Sequence, residues 1–325
     1  MSKSILMHEN GGPEKMQLEE VEVGSPGPGQ VKIRHTAIGL NFIDVYTRSG
    51  LYATPMPNAV GREAAGVIVE VGPKVRGFKK GDRVAYCGVL GAYCQERLMG
   101  VDQLVHVPKG VSDEQAAAIM LKGMTTEYLV DHTAKAWLKK GDVILFHAAA
   151  GGVGLLFGQW AKARGYKVIG TVSSPEKAAL AKKNGYKWTI DYSKENIVEQ
   201  VMKITKGKKV PVVFDGVGKD TWAASLDVLQ PRGLMVSFGN ASGAVPPQSV
   251  GILNAKGSLY LTRPSLGAYT ATRADLEASA KSLFKMVKSG KVKIAIDQRY
   301  PLAEAAQSHI DLESRKTTGQ TILVP

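Results

Sequence analysis

The chain has 325 residues, too long for one compact core, so two domains are expected. Its 44% hydrophobic and 22% charged residues exclude a disordered chain, and two cysteines, Cys87 and Cys94, can neither staple it nor form a four-thiolate zinc module. The thiols read as free in a reducing compartment, the cytoplasm, and the net charge of +13 raises the question of an anionic partner.

The lysines come as dispersed pairs (Lys79-Lys80, Lys139-Lys140, Lys182-Lys183, Lys208-Lys209), which reads as a solvated surface. Nucleic acid stays as an alternative partner, without the aromatics interleaved among cations that base stacking uses. At the N-terminus His8 and Glu9 interrupt any apolar run, so no secretory signal is expected. The first 120 residues carry short alternating segments, Val31 to Arg34, Ala65 to Val71 and Arg83 to Tyr86, between turn signals, and predict an irregular, mostly β domain. Lys-Lys-Gly-Asp occurs twice, at 79–82 and 139–142, as two similar turns entering strands.

From Asp142 the rhythm changes to strands alternating with helix-length segments, the pattern of βαβ units and a doubly wound parallel sheet. Six strands are expected: Val143 to His147, Lys167 to Val172, Trp188 to Ile190, Val210 to Asp215, Leu234 to Phe238 and Ser258 to Thr262. The helices between them are Val153 to Arg164, Pro175 to Asn184, Glu195 to Thr205 and Thr221 to Leu229, the second opening on a Ser174 cap and Pro175. Val143 to Ala161 lacks a charge, but Gly151, Gly152, Gly154 and Gly158 break it, so no membrane span is expected. Beyond Leu266, apolar positions at helical spacing predict a helix from Arg273 to Ser289. A last strand, Thr321 to Val324, suggests a return to the first domain.

His147-Ala148-Ala149-Ala150-Gly151-Gly152-Val153-Gly154 follows an apolar strand and opens a helix, the context a dinucleotide turn requires. Gly151 lets the backbone approach a pyrophosphate, the N–H groups of the new helix bind it, and Gly154 lets helix and strand pack closely, while Ala149 replaces the first glycine of the usual fingerprint. At the end of the second strand, where an NAD site carries an acid, the sequence reads Thr171-Val172-Ser173-Ser174, with Lys177 one turn on. Hydroxyls and a cation suit a 2′-phosphate, so NADPH is expected over NADH. Glu176 reads as a helix-start carboxylate, and Lys177 either holds phosphate or is one more surface lysine. The six histidines form no close pair at metal-ligand spacing and no Gly-x-Ser-x-Gly elbow follows a strand, so metal and serine-hydrolase chemistry are unsupported.

Asn41-Phe42-Ile43-Asp44, Tyr46, Ser49-Gly50-Leu51-Tyr52, Gly61-Arg62-Glu63-Ala64-Ala65-Gly66 and the glycine turn together resemble the quinone oxidoreductase branch of the medium-chain dehydrogenase/reductase superfamily. Further matching segments are Val69-Glu70-Val71-Gly72, Phe238-Gly239-Asn240-Ala241-Ser242-Gly243, Thr262-Arg263-Pro264-Ser265-Leu266 and Leu312-Glu313-Ser314-Arg315. Arg62 stands where zinc-dependent members have a ligand histidine and Asn41 where they have a cysteine, so the resemblance is to the zinc-free branch. It implies a chaperonin-10-like catalytic domain (1–123), a Rossmann NADPH-binding domain (124–265), a C-terminal return to the catalytic domain (266–325), and a homodimer. It also implies cofactor contacts at Asn41, Gly152, Val153, Ser173, Lys177, Tyr192, Phe238, Asn240, Ser242, Ser265 and Arg315, to which the turn adds Gly151 and Gly154, and the neighbouring positions Ser174 and Gly239. Asn41, Tyr46, Tyr52 and Arg263 are the expected catalytic residues, orienting a quinone beside the nicotinamide. The expected activity is hydride transfer from NADPH to a quinone without zinc, with an enone or alkenal reductase, a nucleic-acid-binding protein or a non-catalytic cofactor-binding redox sensor as alternatives.

Overall fold

The computed structural model describes residues 1–325, and alternating burial marks its first strands: β1 (Ser2–Met7), β2 (Gln17–Val21) and the long β3 (Gln30–Gly39). After a short helix α1 (Phe42–Arg48) come β4 (Asn58–Ala59), β5 (Glu63–Val71), β6 (Arg83–Cys87), β7 (Glu96–Gly100) and β8 (Val105–His106). β1 lies between β2 and β4 in a small antiparallel sheet, while β3, β5, β6 and β8 run antiparallel in sequence, with β7 also on β3. Ile33, Ile38, Leu40, Ile68, Val84, Tyr86 and Tyr93 fill the core they enclose.

Two helices interrupt this β region where alternation alone predicted none. Helix α2 (Asp113–Tyr128) has no polar face over much of its length: Ala116, Ala117, Ala118, Ile119, Met120 and Met124 are all fully buried. A helix covered all round has no amphipathic stripe to read. Both Lys-Lys-Gly-Asp segments do form the same turn. Asp82 Oδ2 accepts the Lys79 N–H at 2.9 Å and Asp142 Oδ2 the Lys139 N–H at 2.8 Å, with Gly81 and Gly141 at φ +90° and +97°.

The second unit, Thr125–Tyr269 with Gly290–Lys293, is built on a six-stranded parallel sheet. Its elements alternate: β9 (Val143–Phe146), α3 (Gly152–Ala163), β10 (Lys167–Val172), α4 (Pro175–Lys183), β11 (Tyr186–Asp191), α5 (Ile197–Thr205), β12 (Val210–Asp215), α6 (Trp222–Asp227), β13 (Leu229–Ser237), α7 (Gly251–Ala255), β14 (Tyr260–Thr262) and α8 (Leu266–Tyr269). The spatial order β11-β10-β9-β12-β13-β14 reverses direction between β10 and β12, on either side of β9. That reversal is where doubly wound folds bind ligands, outside the carboxyl ends of the strands.

Several boundaries differ from expectation by one or more residues: β11 starts at Tyr186 rather than Trp188 and β14 at Tyr260 rather than Ser258, and two further shifts have a local cause. α5 starts at Ile197 rather than Glu195, because the Asn196 side chain caps it, accepting the N–H groups of Val198 and Glu199 at 2.9 and 3.2 Å. α6 ends at Asp227, and Leu229 already belongs to β13. The strand absorbs Pro231 and Gly233 in an irregularity at which its register with β12 jumps from Leu229↔Val210 to Leu234↔Val212.

The chain then returns to the first unit, Met1–Met124 with Thr270–Ser289 and Ile294–Pro325. It adds α9 (Arg273–Lys288), β15 (Ile296–Pro301), α10 (Ala305–Glu313) and β16 (Gln320–Val324). β15 pairs parallel with β16, and β16 antiparallel with β3. Gly123 in α2 makes room for Leu283 of α9, whose Cδ1 would lie 2.5 Å from an added Cβ.

Candidate functional site

In the second unit the loop from β9 to α3 is a close-packed glycine turn. A Cβ on Gly154 would lie 2.5 Å from the Ala148 carbonyl oxygen and 2.6 Å from that of Ala149, so the first turn of α3 sits on backbone that no side chain could share. Tyr186 of β11 donates its hydroxyl to the Gly154 carbonyl at 2.8 Å and fixes the helix from the other side. The methyl of Ala149, present in place of the fingerprint's first glycine, is received by Gly170 of β10, where an added Cβ would approach it to 2.5 Å. Gly151 is exposed in front of α3, and the N-terminal backbone N–H groups of that helix follow it.

Ala148 takes φ +59°, uncommon for a residue with a Cβ, and a buried network holds it there. Its N–H donates to Thr171 Oγ1 at 3.2 Å, and Thr171 Oγ1 is 3.1 Å from His147 Nδ1. His147 Nε2 is 3.0 Å from Ser225 Oγ, which donates to Asp215 Oδ2 at 2.8 Å. Because the carboxylate only accepts, the Ser225 oxygen is left to accept the Nε2 proton, and Nδ1 accepts the Thr171 hydroxyl. Burial holds the His147 imidazole below its ordinary pKa, consistent with this neutral tautomer. Asp215 also takes the N–H groups of Val217 and Gly218 and the Thr221 hydroxyl, tying the ends of β9, β10 and β12 to one anchor. His147, Thr171 and Asp215 carried no local signal beyond polar residues at strand ends, and Ser225 none beyond a polar residue within a helix.

At the carboxyl end of β10 the side chains are Ser173, Ser174 and Lys177. Lys177 Nζ is 3.4 Å from Ser173 Oγ, and Ser174 caps α4 by accepting the Lys177 N–H at 3.3 Å. Glu176 is exposed, its carboxyl held below the ordinary value by a hydrogen bond with Ser174 and by the helix-start backbone N–H. Asp191, beside Val172 across the β10–β11 ladder, turns to the N–H and hydroxyl of Ser193 at 3.1 and 2.6 Å. Tyr192 next to it is 41% exposed. This set of hydroxyls and an ammonium fits a phosphate ester on a ribose.

Past β13, the Phe238 ring lies over Gly216, 2.9 Å from where a Cβ would stand, and Gly239 passes over the Gly216 carbonyl. Ser242 is committed to the neighbouring loop, accepting the Asp220 N–H at 3.0 Å and donating to the Val217 carbonyl at 2.9 Å. Asn240 accepts the Gly243 N–H through its carbonyl at 2.9 Å. Arg263 at the end of β14 donates to Ser237 Oγ at 3.0 Å and the Gly239 carbonyl at 2.9 Å, so it braces the 237–239 segment. Ser265 starts α8, its carbonyl accepting the Ala268 N–H at 3.1 Å.

In the first unit, Asn41 begins α1. Asp44 Oδ2 accepts the Asn41 N–H at 2.9 Å, and the Asp44 N–H goes to the Asn41 carbonyl at 3.0 Å. Around them lies a buried polar cluster that the sequence did not reveal, because its members are far apart along the chain. Asn41 Nδ2 donates to Glu63 Oε2 at 2.7 Å, Glu63 Oε1 accepts the Leu121 N–H at 2.6 Å, and Lys122 Nζ is 3.7 Å from Glu63. Tyr93 donates to Asp44 Oδ2 at 3.0 Å and lies 3.1 Å from His309 Nε2. Burial raises the Glu63 carboxyl against the pull of Lys122 and lowers the Lys122 ammonium. It pushes Asp44 up to about 7 and, helped by Arg48, His309 down to about 3.

Tyr46 packs edge-on against Tyr52, ring centroids 5.2 Å apart, and against Phe42 at 5.6 Å. Arg315 follows α10 at φ +60° and is exposed. The donor set around Asn41 and Arg62 does not fit zinc: one side chain is a neutral amide, the other a guanidinium donating to the Gly88 carbonyl at 3.1 Å, with no thiolate or imidazole between them. No three His, Cys, Asp or Glu side chains gather where they could hold a metal ion.

Residues 27–154 match the alcohol dehydrogenase GroES-like domain, and residues 152–285 match the family described as zinc-binding dehydrogenase. The whole chain is 54% identical to the full length of a quinone oxidoreductase from Pseudomonas aeruginosa. It is 46% identical, over all of this chain and 99% of the other, to a 2-haloacrylate reductase from Burkholderia. The solved structure of Escherichia coli quinone oxidoreductase complexed with NADPH superposes with a TM-score of 0.97 at 49% identity, over 99% of this chain and all of that one.

Proposed function

The chain belongs to the quinone oxidoreductase family of the medium-chain dehydrogenases, and we propose that it transfers hydride from NADPH to a quinone, without zinc. The observation that carries the cofactor assignment is the pairing of Lys177 with Ser173, 3.4 Å apart, at a strand end where an NAD site would need an acid. Bound there, NADPH supplies the hydride, and a proton completes the hydroquinone.

The chain's part is binding and electrostatics. The turn at Gly151, Gly152, Val153 and Gly154 presents N–H groups to the pyrophosphate, and Ser173, Ser174 and Lys177 take the 2′-phosphate with Tyr192 alongside. Phe238, Gly239, Asn240, Ser242 and Ser265 form the wall for the nicotinamide half, which Arg263 stiffens. Asn41 and Arg315, in the first unit, are ligand contacts on the family resemblance. Hydride arrival leaves negative charge on a quinone oxygen, and the Tyr46 and Tyr52 hydroxyls are the donors proposed to meet it.

Two further assignments follow. We place the protein in the cytoplasm, where its free thiols Cys87 and Cys94 stay reduced, and no helix is long and apolar enough to cross a membrane. We also assign a homodimer: β14 is an edge strand with Tyr260 53% and Leu261 45% exposed, a surface suited to a second copy, and a monomer by light scattering at micromolar concentration would refute this.

Titration with NADPH and with NADH, each followed by 1,4-benzoquinone while absorbance of the reduced nicotinamide is recorded, tests the main reading. Tighter NADPH binding with consumption supports it, and preference for NADH overturns the 2′-phosphate assignment. The 2-haloacrylate reductase relative favours a second reading, reduction of an electron-poor alkene. Faster turnover of 2-alkenals than of quinones would establish that one instead.

A further inference from the structure

We propose that the groove between α9 and β8 is a binding site for a free single-chain carboxylate, its alkyl chain laid on the groove floor and its head group held by Lys281, Lys285 and Lys288. The groove lies wholly in the first unit and shares no residue with those assigned to the nucleotide or the quinone. It therefore stands independently of the cofactor reading.

β8 ends the seven-stranded sheet, and α9 closes the space beside that edge. The space has a volume of about 660 Å³, inside the range of about 300–1,000 Å³ in which small-molecule sites fall. Its floor is apolar: Val105, Ala280 and Phe284 are buried, and Pro108 is half-buried beside them. The lining takes in α9 from Arg273 to Ser289, a rise of about 24 Å, so the groove suits a linear chain better than a compact ring.

The Arg273 end is fixed by contacts of its own. Arg273 donates to the carbonyls of Val101 and Asp102, both at 3.1 Å, and to that of Leu104, and its guanidinium lies over the Phe78 ring, 5.7 Å from the centroid. Phe78 stacks on His106 at 4.4 Å, and His106 Nε2 donates to the Gly77 carbonyl at 3.0 Å. Glu277, the one acid in the lining, pairs with Arg273 at 2.7 Å. These groups satisfy one another and leave the unmatched charge to the other end.

There Lys281, Lys285 and Lys288 follow at spacings of four and three residues, which places them on one face of the helix. All three are exposed, and none has a carboxylate partner. Lys285 and Lys288 also suit the carboxyl end of α9, but Lys281 lies mid-helix, where the helix dipole gives it no role. Ammonium groups on flexible apolar stems beside an apolar floor complement an anion with an apolar tail. The floor is also recessed. No groove residue is among the large hydrophobic side chains that the protein exposes, so a bilayer would meet the lysines without reaching Phe284, whereas a single chain can enter.

Titration calorimetry of the full chain with sodium decanoate, sodium hexanoate and 1-decanol, with and without saturating NADPH, tests the assignment. Decanoate should bind at one site per chain, at least about tenfold more tightly than hexanoate, which is four methylenes shorter, and than 1-decanol, which lacks the charge. Lys281→Gln/Lys285→Gln/Lys288→Gln should weaken decanoate by about tenfold, since three exposed charge contacts are lost together, and leave 1-decanol within about twofold. Lys281→Glu, a single change on the exposed helix surface, should cost about fivefold by itself and serves where the triple variant does not fold. Decanoate affinity that is unchanged in these variants, or no higher than that of 1-decanol, overturns the proposal. Competition between decanoate and NADPH overturns it by putting the chain in the nucleotide site. An absence of saturable decanoate binding overturns it as well, and co-sedimentation with phosphatidylglycerol vesicles in that case would make the lysine face a membrane contact instead.

Discussion

Lys177 and Ser173 are one helical turn apart in sequence, and their 3.4 Å contact is the kind of chemistry a local reading can find. Replacing Lys177 by Ala removes the ammonium from a proposed charge-assisted contact to the 2′-phosphate, with an expected loss of about 10- to 100-fold in NADPH affinity and little change for NADH. Parallel titrations of the two nucleotides check this, and equal losses for both would remove Lys177 from phosphate recognition. Ala148 offers a second test. Its φ of +59° carries a strain of about 1–2 kcal/mol that a glycine relieves, offset by the greater chain entropy glycine loses on folding. Ala148→Gly should therefore raise stability by about 0.5–1 kcal/mol in chemical denaturation. Glu63, Asp44, Lys122, Tyr93 and His309 were illegible for the opposite reason. They touch only because β5, α1, α2, α10 and the loop between β6 and β7 meet, and a buried ion pair leaves no trace in the residues flanking either partner.

At the level of elements, the glycine turn makes a stringent demand on α3. A methyl at Gly154 would meet the carbonyl oxygens of Ala148 and Ala149 at 2.5 and 2.6 Å, both backbone atoms unable to swing aside, so Gly154→Ala must lift the helix from the sheet. The expected cost is about 1–3 kcal/mol of stability, accompanied by weaker NADPH binding because the N–H groups of the turn move with the helix. A variant with parent stability and affinity would show that α3 does not need this approach. Such a turn was readable because strand, glycines and helix lie within a dozen residues, and the six parallel strands were readable because β-branched runs alternate with helical ones. Helix α2 was not, since Ala116 to Met120 are buried on every side and no polar stripe reports the helical period. The start of β13 was missed too, because Pro231 and Gly233 read as breakers and only pairing with β12 accommodates them.

Across the whole molecule, buried titratable groups set opposing slopes of stability with pH. His35, donating from Nδ1 to the Cys94 carbonyl at 2.7 Å and accepting the Tyr86 hydroxyl at 3.0 Å, is neutral, and burial lowers it to about 4 from an ordinary 6.5. His309 is lowered to about 3. For both, the unfolded chain binds the proton first, so their stabilisation is full above pH 6.5 and drains away as pH falls through the folded values. Asp44 runs the other way. Burial raises its carboxyl from 3.8 to about 7, so its contribution is full below pH 3.8 and is lost as pH climbs to about 7. Asp44→Asn keeps an oxygen to accept the Asn41 N–H and the Tyr93 hydroxyl while removing the charge that must be desolvated. The variant should exceed the parent by about 2–4 kcal/mol at pH 8, the equivalent of a shift near three pH units, and the gap should close towards pH 4. With Asp44 no longer opposing the histidines, stability should fall more steeply on acidification than in the parent. Urea denaturation at pH 8, 6 and 4.5 checks both features. A constant offset between parent and variant would mean that Asp44 does not titrate in this window and that its carboxylate is stabilised by the cations near it, Lys122 and Arg62.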